Sequence, residues 1–212
     1  MKRLLTLCAV MLVCVAACLA QCTPIVGGPI PAAYLSSTNE CSIGNHTFGS
    51  TSNCFGPNGN AAEFGVPVEE LAVGHGWGTW NVPPYAETLT PWIGFTDVAT
   101  NQINLVSAAT VMGLEIEPNS FATSGITATF YDGQGDVLAT VQQHLSGNGD
   151  SMLFAAMCPA ASIHSVVITS SPRAGGFAFA HIRASSIAGS AVSSEQPSGP
   201  PVPVPPGATR NH

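Results

Sequence analysis

Residues 111–187 constrain this chain most. They contain VMGLEIEPNS, ITATFYDGQGDVLATVQQ, SIHSVVITSS and GGFAFAHIRASSI, runs of Val, Ile, Thr and Phe separated by Gly, Asn, Asp, Ser and Pro. That punctuation belongs to antiparallel β structure. Short strands linked by such turns cannot each bury a face alone, and two packed layers solve the problem. The expected fold is all-β, a two-layer antiparallel β-sandwich of the jelly-roll kind.

Side chains alternate across a strand, so each run can be read face by face. In 111–117, Met112, Leu114 and Ile116 share one face, and Val111, Gly113, Glu115 and Glu117 share the other. In the next run Ile126, Ala128 and Phe130 oppose Thr127, Thr129 and Tyr131. The turn Asp132-Gly133-Gln134-Gly135 returns the chain as 137–142, and Gly147-Asn148-Gly149-Asp150 turns it again. Further strands are expected at 163–169 and 177–183, the latter with Phe177 and Phe179 on one face. Upstream, 92–97 and 103–106 read as strands, while Pro67, Pro83, Pro84 and Pro91 point to edges and connections. The single modest helical candidate is SMLFAAMCPAAS, stopped by Pro159.

The flanks divide the chain. Residues 1–20, MKRLLTLCAVMLVCVAACLA, form a basic tip and an apolar run ending in small residues, a secretory signal too short to span a bilayer. Two processing readings stay open. Cleavage after Ala20 leaves Gln21 first, whereas Val15-Ala16-Ala17-Cys18 resembles a lipobox that would put a lipid anchor on Cys18. Residues 21–65, dense in Pro, Gly, Asn and Ser, read as an irregular arm, 66–187 as the sandwich domain, and 188–212 as a proline-rich disordered tail. The mature chain has no apolar run long enough for a membrane span, so a secreted or cell-surface location is expected.

Cysteines and charge agree with export. Outside the leader stand Cys22, Cys41, Cys54 and Cys158, an even set with three possible pairings. Cys41 with Cys54 closes a short Gly-, Asn- and Ser-rich loop, and Cys22 with Cys158 then ties the arm to the domain. No close Cys-x-x-Cys pair favours zinc instead. Beyond the leader there are three basic residues, Arg173, Arg183 and Arg210, against twelve acidic ones. Nucleic-acid binding needs Lys and Arg to displace counterions, so it is excluded as a role.

WGTWNVPPYAETLTPWIG, VMGLEIEPN, ITATFYDGQGDVLATV, GNGDSMLFAA, IHSVVITSS and GFAFAHIRA follow in an order that resembles the ectodomains of bacterial exosortase-sorted (PEP-CTERM) surface proteins and their secreted relatives. The resemblance covers about 74–184. It implies a jelly-roll, carbohydrate-binding-like sandwich and transfers no catalytic or ligand residue. The end of this sequence has no Pro-Glu-Pro signal, apolar helix or basic cluster, so exosortase anchoring is not expected.

Several constellations could carry chemistry. Glu115 and Glu117, on one strand face with Cα atoms about 6.5–7 Å apart, could serve as a glycosidase pair, or could be solvated glutamates at a strand end. Asp132, Asp136 and Asp150 border Gly-rich turns and could hold a structural calcium ion, though Asp-Gly turns need none. Trp77, Trp80 and Trp92 with Tyr85 could stack on sugar rings, or could be core and edge-covering residues. His75, His144, His164 and His181 are scattered, and no nucleophile elbow occurs. The expected function is an exported non-catalytic surface or extracellular-matrix binding module, without catalytic residues or an obligatory cofactor, whose partners are polysaccharide or surface components. A polysaccharide hydrolase using Glu115 and Glu117 and a purely structural envelope protein are the alternatives.

Overall fold

The computed structural model describes residues 22–160 and 162–188. The leader, with its cleavage and lipid-anchor readings, and the proline-rich tail beyond Ala188 lie outside the described residues.

In chain order, β1 (Thr23–Val26) precedes the short helix α1 (Ala32–Ser37), then β2 (Asn39–Glu40), β3 (Ser42–Ile43), β4 (Gly49–Gly56), the long β5 (Gly59–Val73) and β6 (Gly76–Trp77). After a connection come β7 (Trp92–Thr96), β8 (Thr100–Ala109), β9 (Val111–Pro118), β10 (Ser124–Tyr131) and β11 (Val137–Leu145). Next are β12 (Met152–Met157), β13 (Ile163–Ser170), the 3-10 turn Pro172–Ala174 and β14 (Phe177–Ala184). The hydrogen-bonded order is β1-β12-β9-β14-β7-β5-β8-β13-β10-β11. All of these neighbours are antiparallel.

This continuous sheet bends at β5 into two layers. Ala62–Phe64 pairs with β8, and after Pro67 the same strand pairs with β7 through Glu69–Leu71. Proline lacks the N–H a ladder requires, and here it falls where β5 passes from one neighbour to the other. The inner faces meet in one core. Leu114, Ile116, Phe154, Phe177 and Phe179 of one layer pack with Phe64, Ile103, Ile126, Phe130 and Ile168 of the other. The expected antiparallel two-layer sandwich is present.

The face assignments hold. Met112, Leu114 and Ile116 enter the core, and Ile126, Ala128 and Phe130 are fully buried while Thr127 and Thr129 are half-buried. The hairpin pairs Thr129 with Thr140 and Phe130 with Ala139.

Two expectations are corrected. The helix expected in SMLFAAMCPAAS is absent from its described residues, because Met152–Met157 is β12, hydrogen-bonded between β1 and β9. Its inner face meets the core and its outer face, through Leu153 and Ala155, meets Tyr34 of α1. Burial on both faces removes the alternation that marks a strand. Nor is 21–65 an irregular arm. It holds β1 and the β4–β5 hairpin, in which Gly56 pairs with Gly59 across Pro57 and Asn58, and the boundary at 65/66 falls inside β5. Edge strands made of Gly, Ser, Thr and Asn carry little hydrophobic pattern, so composition alone resembles a loop. Both expected disulfides form, Cys22–Cys158 and Cys41–Cys54. The first joins β1 to the end of β12, and the second holds β3 against β4.

Candidate functional site

The outer face of β9 and β14 faces neither solvent nor the other layer. β14 alternates Phe177 and Phe179 inward with Ala178 and Ala180 outward. The two alanines leave room for the segment 74–91, whose Trp77, Trp80 and Ala86 pack on them and on Ile93. Along the same face α1 lays Tyr34 against Val111, Leu153 and Ala155. Tyr34 fits because β9 carries glycine there: a Cβ on Gly113 would stand 2.7 Å from the Tyr34 hydroxyl and 2.5 Å from Ala155 Cβ.

Glu115 and Glu117 lie under this cover. They share a face as the alternation requires, but both are fully buried rather than solvated. Glu115 Oε2 accepts the Trp80 indole N–H at 2.8 Å, and its Oε1 accepts the Glu87 backbone N–H at 2.8 Å. Glu117 accepts from Trp77 Nε1 at 3.2 Å, Thr79 Oγ1 at 2.9 Å and the Gly149 backbone N–H at 2.8 Å. Burial pushes Glu115 up to about 7, against the opposing pull of the His181 charge and of the Trp80 and Glu87 hydrogen bonds. Glu117 is also raised by burial, with the Gly149, Trp77 and Thr79 bonds opposing. The pair therefore anchors the covering segment, with its acceptor oxygens engaged by the chain itself.

The tryptophans separate. Trp77 and Trp80 are buried, so neither offers a free ring face, and this part of the expected sugar-stacking set is corrected. An indole N–H must find an acceptor when buried, and the carboxylates below supply it. Tyr85 is exposed on the covering segment, whereas half-buried Trp92 lies against His46, with ring centroids 5.4 Å apart and planes 8° from parallel. Phe48, 61% exposed, tilts against Trp92 with centroids 5.3 Å apart.

Trp92 and His46 border a cleft of about 210 Å³ whose lining also includes Glu40, Ser42, Thr90 and His181, and Phe48 reaches it through its contact with Trp92. The loop carrying His46 and Phe48 is set by Glu70, a buried carboxylate whose oxygens accept the backbone N–H groups of Asn45 and Thr47, both at 3.3 Å. Gly44 (φ 54°) lies against that carboxylate, where any side chain would collide.

At the cleft floor the chain brings together residues that the sequence leaves far apart. His181 has φ 50° and sits where the β14–β9 register slips between Ala180 and Arg183. A bulge of this kind re-aims a side chain, here onto the outer face. His181 Nδ1 lies 2.8 Å from Glu40 Oε1, and its Nε2 lies 3.3 Å from Thr88 Oγ1. Arg183 Nη1 donates to Glu87 Oε2 at 3.2 Å and reaches Glu40 Oε2 at 3.5 Å. Burial alone would lower His181, but the Glu40 bond and the charges of Glu115, Glu40 and Glu87 raise it overall. Burial likewise raises Glu40, yet its bond to His181 and the His181 and Arg183 charges hold it below the usual range. Glu87 is raised, by burial first, against His181 and Arg183. Glu40, Glu87 and His181 offer ligand atoms within 4.8 Å of one another, the metal-capable group among the described residues.

Of the aspartates expected to hold calcium, Asp150 lies apart from Asp132 and Asp136. Asp132 and Asp136 flank the β10–β11 turn, where Asp132 Oδ1 accepts the Gln134 and Asp136 N–H groups at 2.9 and 2.8 Å. Asp150 lies beyond the other end of β11, with Oδ2 3.3 Å from the Ser146 N–H. Each does the work of a turn residue, which needs no ion.

No protein-family model matches this chain, and no curated protein does. Among solved structures, the chain is similar to the enzymatically active domain of bacteriophage CBA120 tailspike protein 4, with 14% identity, 64% of this chain covered and a TM-score of 0.29. It spans only 18% of that tailspike chain. It is also similar to CBM29_1, a family 29 carbohydrate-binding module from Piromyces equi, with 9% identity, 58% of this chain and 89% of that chain covered, and a TM-score of 0.29. Similarity at this level carries no argument about what the present chain binds.

Proposed function

We propose that this protein is an exported binding module that takes carbohydrate in the cleft beside Trp92. The observation that carries the reading is the juxtaposition of exposed aromatic rings, Phe48 and His46 against Trp92, with the polar groups Glu40, Ser42, Thr90 and His181. Sugar rings have flat C–H faces that stack on aromatics and hydroxyls that need directed acceptors and donors, and such sites pair an apolar surface with a few polar groups. Export is supported by the two disulfides, which persist in oxidising compartments. No helix among the described residues is long and apolar enough to cross a membrane. A non-catalytic role is part of this reading, and what supports it is that the Glu115 and Glu117 oxygens are engaged by Trp77, Trp80 and backbone donors.

Binding to a panel of soluble and insoluble polysaccharides tests the proposal. Phe48→Ala and Trp92→Ala are expected to abolish retention while leaving the unfolding midpoint of Phe48→Ala unchanged, because Phe48 is exposed. Retention of a glycan by both variants at wild-type strength removes the cleft as the site. Release of reducing ends by wild type, lost in Glu115→Gln, would instead favour a hydrolase.

A further inference from the structure

We propose that Glu40, Glu87 and His181 form a binding site for a divalent transition-metal ion of the zinc class, open toward the cleft beside Trp92. The inference stands independently of any sugar ligand. Its starting point is a mismatch of charge. Three carboxylates, Glu40, Glu87 and Glu115, converge on this outer face, and the fixed cation among them is Arg183. The other groups turned toward them are Thr38, Thr88 and Tyr34, which are neutral, and His181, whose charge when protonated still leaves one carboxylate in excess. A half-buried group with more carboxylates than cations is costly unless protons or a metal balance it.

The geometry suits a metal. Ligands at about 2.1 Å around a tetrahedral ion lie about 3.4 Å apart, so the His181 Nδ1–Glu40 Oε1 pair, now at hydrogen-bond distance of 2.8 Å, needs to open by only about half an ångström to admit one. The ion would take the place of the proton now shared between them. His181 Nε2, beside Thr88 Oγ1, can then donate its hydrogen there, which fixes the tautomer that leaves Nδ1 free. Arg183 bonds the Oε2 atoms of Glu40 and Glu87 and so orients both carboxylates from behind. No hydrogen bond reaches Glu87 Oε1 among the described residues. One nitrogen and two carboxylate ligands favour zinc or its neighbours over calcium, which prefers an all-oxygen shell.

A second observation points to a ligand. Tyr34 is wholly buried, and its hydroxyl has no hydrogen-bond partner among the described residues. It stands over Gly113, the residue paired across the strands with Arg183, and it feels the charges of Glu87, Arg183, Glu115 and Glu40. An unpaired buried hydroxyl is unfavourable, and water carried by a bound metal is the kind of partner it lacks. Access is from the Glu40 side, whose side chain is 41% exposed at the cleft.

The test uses the untagged, disulfide-bonded protein, stripped with chelator and titrated with zinc by calorimetry, with thermal unfolding read in parallel. One zinc ion per chain should bind and raise the unfolding temperature. Glu87→Gln and His181→Asn should each weaken binding by about tenfold or more, and Thr88→Val by about tenfold. Asparagine is chosen at 181 because it tolerates the left-handed backbone. Unchanged unfolding temperatures in chelator show that the variants fold; if His181→Asn does not, Glu87→Gln and Thr88→Val decide. Absence of zinc binding by wild type, or wild-type affinity in Glu87→Gln and Thr88→Val, overturns the proposal. Loss of zinc binding with glycan binding retained leaves the metal site standing apart from the sugar reading.

Discussion

The indole N–H of Trp80 donates to Glu115 Oε2 at 2.8 Å, across 35 residues of chain, and fastens the covering segment to the outer face of β9. Trp80→Phe keeps most of the apolar contact but leaves a buried carboxylate oxygen short of its donor, at a cost of about 1–3 kcal/mol. Trp77→Phe also strips a carboxylate oxygen, Glu117 Oε2, but should cost less, because the bond lost is longer, 3.2 Å, and Glu117 keeps two donors on Oε1, Thr79 and Gly149, where Glu115 keeps one. Urea unfolding of both variants checks the order, and a larger loss for Trp77→Phe contradicts this account.

Glu115 also sets a pH dependence. Its pKa in the fold, about 7, lies above that of an unfolded carboxyl. The resulting stability is fully present below the unfolded pKa and is lost as pH rises through about 7. Stability measured in chelator should therefore fall, by a few kcal/mol at most, between about pH 5 and about pH 8. Glu87 and Glu117, also raised, act in the same direction. Glu115→Gln should flatten the slope, and a wild type that gains stability over this range excludes the burial argument.

The β10–β11 hairpin offers a register test. Phe130→Ala should cost about 3–5 kcal/mol and Thr129→Ala under about 1 kcal/mol, since the first empties core volume and the second trims a half-buried hydroxyl. A one-residue slip would reverse the order. Denaturant midpoints of the two proteins decide it.

Loop length ranks the disulfides. Cys41–Cys54 spans a sequence separation of 13 and Cys22–Cys158 one of 136. Chain entropy gives about 3 kcal/mol for the first and about 4–5 kcal/mol for the second. The double variant Cys22→Ser/Cys158→Ser should thus unfold at lower urea than Cys41→Ser/Cys54→Ser.

Gly113 tests how closely α1 seats. A methyl group there meets Ala155 Cβ at 2.5 Å and the Tyr34 hydroxyl at 2.7 Å, neither on a side that yields easily. Gly113→Ala should cost about 1–3 kcal/mol by overpacking, and less than that in a Tyr34→Ala background, which is itself destabilised by its cavity but has one obstacle removed. Additive losses in the double variant contradict the contact.

Much of the sandwich was legible because half-buried strands carry their faces in their spelling. Alternation placed Leu114, Ile116, Ile126 and Phe130 inward, and Asp-Gly turns marked the hairpins. That signal fails where both faces are covered, as in β12, and where a strand is built from glycine and serine, as in β4. For the same reason alternation could set Glu115 and Glu117 on one face without saying what covers it.

Sequence alone determined the class of fold, the inward faces of the central strands and the even set of cysteines, since these follow from local periodicity and counting. Tertiary structure decided that Trp77 and Trp80 are buried donors to Glu115 and Glu117 rather than sugar-stacking rings. It also decided that Glu40, Glu87 and His181 meet, although 47 residues or more separate each from the next along the chain. The reason is that a β-sheet assembles its outer surface from strands distant in sequence, and the bulge that turns His181 outward depends on how β14 pairs with β9. Strand spelling says which way a side chain points from its own strand, and only pairing says what it meets there.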